Sequence, residues 1–412
     1  MVLSAILAAL ALLSLGLTLW QWVVARRFPI GGQRVAPDLE GSALPGERAG
    51  ETRRPAAPTA ITLLKPLKGC DAFTEECLRS WFAQKYAAPV QVLLGVARRD
   101  DPVVEIVHKV QREFPGADAR LVICEPLLGA NAKVSQLAVL EPMIKHEVVV
   151  ISDADVRVPP DLLTQLAAAL SPPSAASPGL ACCFYRLANP STLAMRWEAI
   201  AINADFWSQV LQAQSLKPID FALGAVMALP RRRLEEIGGF KALMDCLADD
   251  YQLGNRLARL GHRIVLCPVV VECWSAPMSW ADVWKHQLRW ARTIRVCQPA
   301  PYFFSILSNA TLWPLIWAVT NPSPPVVAAA LFCWLTRVWT ALDLQRRLNR
   351  AADPASLSAP AAARYAWLVP AKDLLQAAIW LMAFLGNQVE WRGQKMRLRS
   401  DGTLERAKTL EQ

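Results

Sequence analysis

The stretch Val148 to Asp155, VVVISDAD, is an apolar run that ends in two carboxylates one residue apart. A fully apolar run of this length is typical of a buried central strand, and open α/β sheets bind ligands at the carboxyl ends of such strands. Residues i and i+2 of an extended chain point the same way, so Asp153 and Asp155 can both reach one hard cation. The motif favours a divalent metal, Mg²⁺ or Mn²⁺, that carries a diphosphate; a solvated Asp-rich turn that only ends the strand is the simpler alternative.

Apolar strands alternate with helical segments on both sides of this motif. The predicted strands are residues 61–64, 90–96, 120–123 and 148–151. Helical spacing of apolar residues follows at 103–114 and 135–144. Alternation of this kind predicts an α/β domain over residues 61–300, with a mostly parallel sheet covered by helices.

Polar residues follow three of these strands, where a parallel sheet would gather them at one rim. They are Lys65, Lys68 and Asp71 after the first strand, Asp100 and Asp101 after the second, and Asp153 and Asp155 after the fourth. We expect Lys65 and Lys68 to be ordinary solvated loop charges. The five acids at three strand ends predict a ligand site.

Adjacent carboxylates recur at Asp249 and Asp250. Two neighbouring acids repel, so partial burial would raise the pKa of one of them, which suits a group that accepts a proton. Acids in a first helical turn are also favoured by the helix dipole, and both explanations can hold at once.

The segment from His286 to Trp290, HQLRW, offers a cation and an aromatic ring. Arg289 is suited to pair with a phosphate, and Trp290 to pack against a sugar or an acceptor. An interfacial amphipathic helix near residues 279–297 is the structural alternative, since apolar side chains recur every four residues there.

Hydrophobic residues make up 53% of the 412-residue chain, which also has 16 tryptophans, more than a soluble domain needs. We expect an N-terminal transmembrane anchor at residues 1–27, since no charge precedes Arg26 and Arg27, and a transmembrane hairpin at 301–345. A third apolar block, 361–386, carries Lys372 and Asp373, so a re-entrant or interfacial helix fits it better than a span.

The remaining segments are polar. Residues 28–60, rich in Gly, Pro, Arg and Glu, predict a flexible tether, and the end of the region 346–412 predicts a basic tail. The net charge of +9 is concentrated beside the apolar segments, which favours an anionic membrane over nucleic acid. Ten cysteines without a C-x-x-C pair fit a reducing cytosolic location of the catalytic domain. A multi-pass protein, of a bacterial inner membrane, is expected.

Five ordered motifs resemble those of ceramide glucosyltransferases, and bacterial relatives associated with hopanoid lipid glycosylation are equally similar. The motifs are KPLKG with Asp71, GANAK ending at Lys133, Asp153-Ala154-Asp155, Asp249-Asp250-Tyr251, and the Arg289-Trp290 pair. They extend over roughly residues 61–295 and do not discriminate ceramide from hopanoid.

The resemblance implies an inverting glycosyltransferase with a nucleotide-sugar-binding fold of the GT-A type, which transfers a hexose from a UDP-sugar to a lipid hydroxyl. It implies that Asp71 and Asp100 or Asp101 lie by the nucleotide and that Lys133 lies near its phosphates. It further implies that Asp153 and Asp155 bind metal and diphosphate, that Asp250 is the general base, with Asp249 beside it, and that Arg289 and Trp290 close the donor site. The family has Gln or Arg where this chain has His286, which puts the detail of donor closure in doubt.

Three other functions compete with this one. A hopanoid N-acetylglucosaminyltransferase differs in acceptor and donor. A processive polysaccharide synthase would need a membrane channel, for which three or four apolar segments offer little material. A non-catalytic membrane scaffold would be favoured by loss of an acid, but Asp71, Asp153, Asp155 and Asp250 are all present.

Overall fold

The architecture is taken from a computed structural model of the full chain. It describes residues 1–31, 59–171, 178–352, 364–391, 394–399 and 401–406. The predicted tether therefore lies mostly outside the described residues, as does Arg392 of the predicted basic tail.

An eight-stranded sheet forms the centre of the protein, in the order β3-β2-β1-β4-β7-β6-β8-β5. Its strands are β1 Ile61–Leu67, β2 Val90–Val96, β3 Asp118–Ile123, β4 Val148–Ser152, β5 Val156–Arg157, β6 Leu180–Leu187, β7 Val226–Pro230 and β8 Ile264–Cys273. The first four strands in this order are parallel, β7 is antiparallel to β4 and β6, and β6 is parallel to β8. The carboxyl ends of β1, β2 and β4 therefore share one edge.

Helices cover both faces of the sheet because the strands are apolar on both. Leu64 and Val149 belong to one core, whereas Leu63 and Val150, their neighbours in sequence, belong to the other. Successive residues of a strand point to opposite faces, so a continuous apolar run feeds two cores at once. The helices of this domain are α2 Thr74–Phe82, α3 Val103–Glu113, α4 Ala132–Leu140, α5 Leu162–Leu170, α6 Leu193–Ile200, α7 Trp207–Leu216, α8 Arg231–Glu236, α9 Asp249–Arg259 and α10 Trp280–Cys297.

The apolar helices differ in shape from the predicted hairpin. They are α1 Val2–Arg27, α11 Pro299–Phe304, α12 Leu312–Thr320, α13 Pro324–Ala352 and α14 Leu368–Phe384. Among the described residues, α1 and α13 are long and apolar enough to cross a membrane. The segment before α13 is bent by 51° between Pro299–Ser308 and Leu312–Thr320, so it is a broken span or a re-entrant loop and not a straight arm.

Helix α14 explains how the third apolar block accommodates its charges. Lys372 and Asp373 are both buried and form an ion pair of 2.7 Å. Arg337 of α13 lies 2.9 Å from both Asp373 and Asp205, and Lys372 also pairs with Asp205. Buried charges are tolerated when they pair, so two acids and two cations join α13 and α14 to the α/β domain with all four side chains buried.

The start of the predicted tether and part of the predicted basic tail are folded. The ring of Phe28 packs against Phe184 of β6, and Gly31 N donates to Pro268 O over 3.0 Å, so the packed chain extends past the predicted start of the tether. The tail, predicted only as basic, contains the antiparallel strands β9 Gln388–Trp391, β10 Gln394–Leu398 and β11 Leu404–Arg406.

Candidate active site

Lys133 connects two of the sequence motifs at the carboxyl edge of the sheet. Its Nζ lies 2.7 Å from Asp153 Oδ1 and 2.9 Å from Asp249 Oδ2, and the lysine is 8% exposed. Burial alone would lower the pKa of Lys133, but the charges of Asp153 and Asp249 raise it above its ordinary value. The lysine therefore remains cationic between the two carboxylates.

The N-terminus of α4 fixes the position of Lys133. Asn131 caps this helix by accepting a hydrogen bond from Val134 N over 3.2 Å. The Asn131 amide donates to Cys246 O over 2.8 Å, which ties the helix start to the segment before Asp249. Because Ser, Thr, Asn and Asp are the favoured N-cap residues, the GANAK motif has a direct structural role.

Asp155 lies three residues after β4 ends at Ser152, close enough to Asp153 for the two charges to interact. The side chain of Asp155 is exposed, yet neighbouring protein atoms partly desolvate its carboxylate. This desolvation, together with the charge of Asp153, raises the pKa of Asp155 to about 6. A carboxylate held next to another carboxylate in this way is stabilised by an added cation.

Two carboxylates suit a divalent metal that also takes phosphate oxygens. Mg²⁺ and similar ions are commonly held by one or two protein carboxylates, with substrate phosphates and water completing the coordination shell. No group of three or more His, Cys, Asp or Glu side chains is arranged to hold a metal within the described part of the chain. Asp153 and Asp155 therefore fit a metal that arrives with a diphosphate better than a closed structural site.

Lys65 is buried, contrary to the expectation of a solvated loop charge. Strand β1 extends beyond the predicted residue 64, so Lys65 lies within it and is fully buried. Its Nζ donates to Asp153 O over 2.7 Å and lies 5.0 Å from the centre of the Trp81 ring. Burial lowers the pKa of Lys65 to about 8. Lys65 therefore fixes the position of the backbone at Asp153.

Asp250 lies in the first turn of α9, next to the carboxylate that Lys133 binds. Burial, and then the charge of Asp249, raise the pKa of Asp250 to about 6, and the Tyr251 N–H donates to its Oδ1 over 2.8 Å. A Cβ added at Gly224 would lie 2.7 Å from Asp250 Oδ2, so only glycine leaves room for this carboxylate. The sequence did not single out Gly224.

Of the three other predicted acids, Asp71 and Asp101 hold loops in place and Asp100 does not. Asp71 accepts hydrogen bonds from Phe73 N over 2.9 Å and from Ala276 N over 3.1 Å. Asp101 accepts from Gly69 N over 2.9 Å, which ties the loop after β2 to the loop after β1. Asp100 lies apart, in an ion pair of 2.7 Å with Arg98 in which both side chains are 70% exposed.

Helix α10 carries the last motif and begins with a capping box of Ser279 and Asp282. His286 Nδ1 lies 2.6 Å from the buried carboxylate of Glu198, a residue that the sequence did not single out. The His286 and Trp290 rings are 4.8 Å apart, and Trp290 also contacts Phe206. Arg289 precedes Trp290 and accepts a hydrogen bond at its carbonyl from Thr293. Glu198 therefore orients the His286 ring.

The sequence was compared with models of known protein families. The model described as glycosyl transferase family 21 matches residues 6–404. The chain belongs to this family. This membership confirms the resemblance seen in the motifs, and it extends through the apolar segments on both sides of the catalytic domain.

Individual relatives agree with the family. A ceramide glucosyltransferase of Candida albicans is 29% identical over 107 residues, which span 23% of this chain and 20% of that protein. The chain thus matches about a fifth of that relative's length. Ceramide glucosyltransferase 3 of Caenorhabditis elegans is 20% identical over 345 residues, 84% of this chain and 74% of the relative.

The fold also matches a solved structure. A mannosyltransferase from Pyrobaculum calidifontis, in complex with GDP-Man and Mn²⁺, aligns with a TM-score of 0.50 and 21% identity, over 93% of this chain and 98% of the other. The match confirms the predicted α/β class with a GT-A domain.

Proposed function

We propose that the protein transfers a hexose from a UDP-sugar to a lipid hydroxyl with inversion at the anomeric carbon. The observation that carries the proposal is the position of Asp250, whose pKa is raised to about 6, beside the cluster of Lys133, Asp153 and Asp249 at the ligand-binding edge of the sheet. One side of this site is suited to a diphosphate, and Asp250 provides a base.

The proposed reaction is a single displacement. The carboxylate of Asp250 takes the proton of the acceptor hydroxyl while the hydroxyl oxygen bonds to the anomeric carbon. The bond from that carbon to the UDP oxygen breaks, and the diphosphate keeps the electron pair. Lys133 and Arg289 are the cations proposed to stabilise the leaving diphosphate, and Trp290 closes the donor site.

Asp153 and Asp155 would hold the metal, a bound Mg²⁺ or Mn²⁺ that neutralises charge developing on the diphosphate. Lys133 Nζ contacts Asp153, so a bound diphosphate would compete with this carboxylate for the lysine. Asp71 and Asp101 would shape the nucleotide side of the site through the loops that they hold.

A lipid acceptor is supported by the apolar helices. Helices α1 and α13 meet each other, and the turn after α1 packs against β6, so a bilayer around these helices would adjoin the domain that carries the site. A sphingoid lipid such as ceramide, with UDP-glucose as donor, is the first candidate, and a hopanoid with UDP-N-acetylglucosamine is the second. A polysaccharide synthase fits less well, because two to three spans in the described chain leave little material for a polymer channel.

The activity is tested with the full chain purified in detergent. UDP-glucose, UDP-N-acetylglucosamine and GDP-mannose are each offered with ceramide or with bacteriohopanetetrol, and the products are read by mass spectrometry and by the proton coupling at the anomeric carbon. We expect a glycolipid from a UDP-sugar, with inverted configuration. Retention of configuration, or glycolipid from GDP-mannose alone, would contradict the proposal.

We further propose that the catalytic domain faces the cytosol, where UDP-sugars are made. Arg26 and Arg27 at the end of α1, and Arg346, Arg347 and Arg350 at the end of α13, support this orientation through the positive-inside tendency.

Cys70 is an exposed cysteine on the catalytic domain and provides a natural reporter of topology. We expect a membrane-impermeant maleimide to label it only after the cells are permeabilised, and Cys70→Ser to remove that labelling. Labelling of Cys70 in intact cells would place the domain on the opposite side.

A further inference from the structure

A cavity of about 320 Å³ lies where α1 and α13 end, far along the chain from every motif of the candidate active site. Its walls come from the end of α1, the turn after it and the last three turns of α13. The lining residues are Arg26, Ile30, Gly31, Asp343, Arg346, Arg347, Arg350 and Ala351. Among the described residues, four arginines and one carboxylate, that of Asp343, thus line this cavity.

The carboxylate of Asp343 already has two partners. Asp343 accepts a hydrogen bond from Trp22 Nε1 over 2.8 Å and lies 3.4 Å from Arg26 Nη1. Within the part of the chain that the structure describes, Arg346, Arg347 and Arg350 form no ion pair with an acid. The cavity therefore has an excess of positive charge, which an anion would neutralise.

The arginines are also held in place by the fold. Arg347 Nη2 donates to Phe28 O over 2.7 Å. Arg346 Nε and Arg347 Nε are buried and lack a hydrogen-bond partner among the described residues. Gly31 has a φ of +65°, and a Cβ there would lie 2.8 Å from Ala351 Cα, so the turn closes tightly against α13 and forms a fixed wall. Buried N–H groups without partners favour a bound acceptor, which phosphate oxygens supply.

The cavity lies at the ends of both candidate spans, the level at which a bilayer around these helices would place its headgroups. Both candidate spans end at it, and the rings of Trp22 and Trp339 contact each other at 4.9 Å one to two turns nearer the apolar part of the helices. On its other side, Gly31 N donates to Pro268 O of β8 and Arg186 of β6 donates to Asn349 over 3.1 Å. Arg26, Arg346, Arg347 and Arg350 therefore lie between the apolar helices and the catalytic domain.

We propose that this cavity binds the phosphate of an anionic membrane lipid. Arginine forks match phosphate oxygens in geometry as well as in charge, and the inner leaflet supplies anionic phospholipid at this level. Lipid bound there would join α1 and α13 to the strands β6 and β8. The inference is independent of the proposed glycosyl transfer, because it concerns a separate site and its test measures binding.

The test uses the full chain in detergent micelles doped with phosphatidylglycerol or with phosphatidylcholine of the same acyl chains. Native mass spectrometry counts the lipid that each protein retains. We expect phosphatidylglycerol to be retained at one copy, and phosphatidylcholine to be retained at least about tenfold less, a difference of about 1.4 kcal/mol. The double variant Arg346→Gln with Arg350→Gln should lose this preference, while Arg346→Lys with Arg350→Lys should keep most of it.

The matched control removes the same charge elsewhere. Arg112→Gln with Arg232→Gln alters two exposed arginines of the catalytic domain, and phosphatidylglycerol retention should be unchanged. Asp343→Asn keeps an acceptor for Trp22 and removes the acid found among the described lining residues, so retention should increase, an effect that partial unfolding cannot mimic. Equal retention by the Arg346 and Arg350 double variant and by its control would overturn the proposal. Binding of inorganic phosphate without a preference for phosphatidylglycerol would overturn the assignment to lipid.

Discussion

Asp250→Asn is expected to abolish sugar transfer while UDP still binds. The amide keeps the shape of the carboxylate and its acceptance of the Tyr251 N–H, but it cannot take a proton from the acceptor hydroxyl. General bases contribute about 10²–10⁴-fold to rates, so turnover should fall by that factor. The measurement is glycolipid formation under saturating donor, with UDP affinity determined by calorimetry on the same preparation.

The control for this variant is Asp118→Asn. Asp118 is exposed on β3, where it pairs with Lys145 over 2.7 Å, so the same chemical change is made away from the candidate site. Its activity should equal that of the parent enzyme. If Asp250→Asn also retained transfer within a few-fold, Asp250 would not be the base.

The pH profile of the parent enzyme gives a second view of the same residue. Burial and Asp249 raise the pKa of Asp250 to about 6, and the base works only when deprotonated. The value of kcat/KM should therefore be constant above this pH and fall by about tenfold per unit below it. Asp155 titrates in the same range, so the profile is measured at saturating Mn²⁺, where the metal competes with its proton. A profile without a change near pH 6 would contradict the assignment.

The sheet was predictable because its central strands are continuous apolar runs. The run from Val148 to Ile151 is apolar on both faces, and in the structure both faces of β4 are buried. The end of β1 was less predictable, since Pro66 argues against a strand. Pairing with β4 stops at Leu64 while pairing with β2 continues to Leu67, so Pro66 lies where one ladder has already ended.

The composition of the site was predictable, but its pairings were not. The resemblance named Lys133, Asp153 and Asp249, yet their contacts join motifs up to 116 residues apart. A sequence pattern also does not show that a lysine is buried; Lys65 is buried because it lies within β1, and its hydrogen bond to the backbone carbonyl of Asp153 offsets the cost of that burial. Likewise Glu198 lies in a helix with no motif, and only the fold brings it to His286.

The charged pair in α14 shows why hydropathy alone left its position open. Lys372 and Asp373 interrupt an apolar block, and their partners Asp205 and Arg337 come from distant parts of the chain. The four charges cancel inside the protein. A prediction from the apolar block alone treats Lys372 and Asp373 as isolated charges that would be costly in lipid. In the folded chain the two charges are paired, so that cost does not arise.

Asp155→Asn is expected to remove the metal dependence of donor binding. Asp155 is the better test of the metal site than Asp153, because Asp153 also contacts Lys133 and its loss would disturb two interactions. Without the second carboxylate, one charged ligand remains for the cation. Loss of a residue that hydrogen-bonds to a metal ligand commonly weakens metal affinity by about 10–100-fold. Loss of a direct ligand such as Asp155 should therefore weaken UDP binding in the presence of Mn²⁺ by at least about tenfold.

The diagnostic quantity is the ratio of UDP affinities with and without Mn²⁺, measured by calorimetry for the parent enzyme, Asp155→Asn and the control Asp118→Asn. The ratio should be large for the parent and the control and close to one for Asp155→Asn. Because the pKa of Asp155 is raised to about 6 by burial and by Asp153, protons should compete with the metal below that pH, and the parent ratio should shrink there. UDP affinity that is the same with and without Mn²⁺ in the parent enzyme would refute the metal site, and Lys133 and Arg289 would then be the cations left to stabilise the diphosphate.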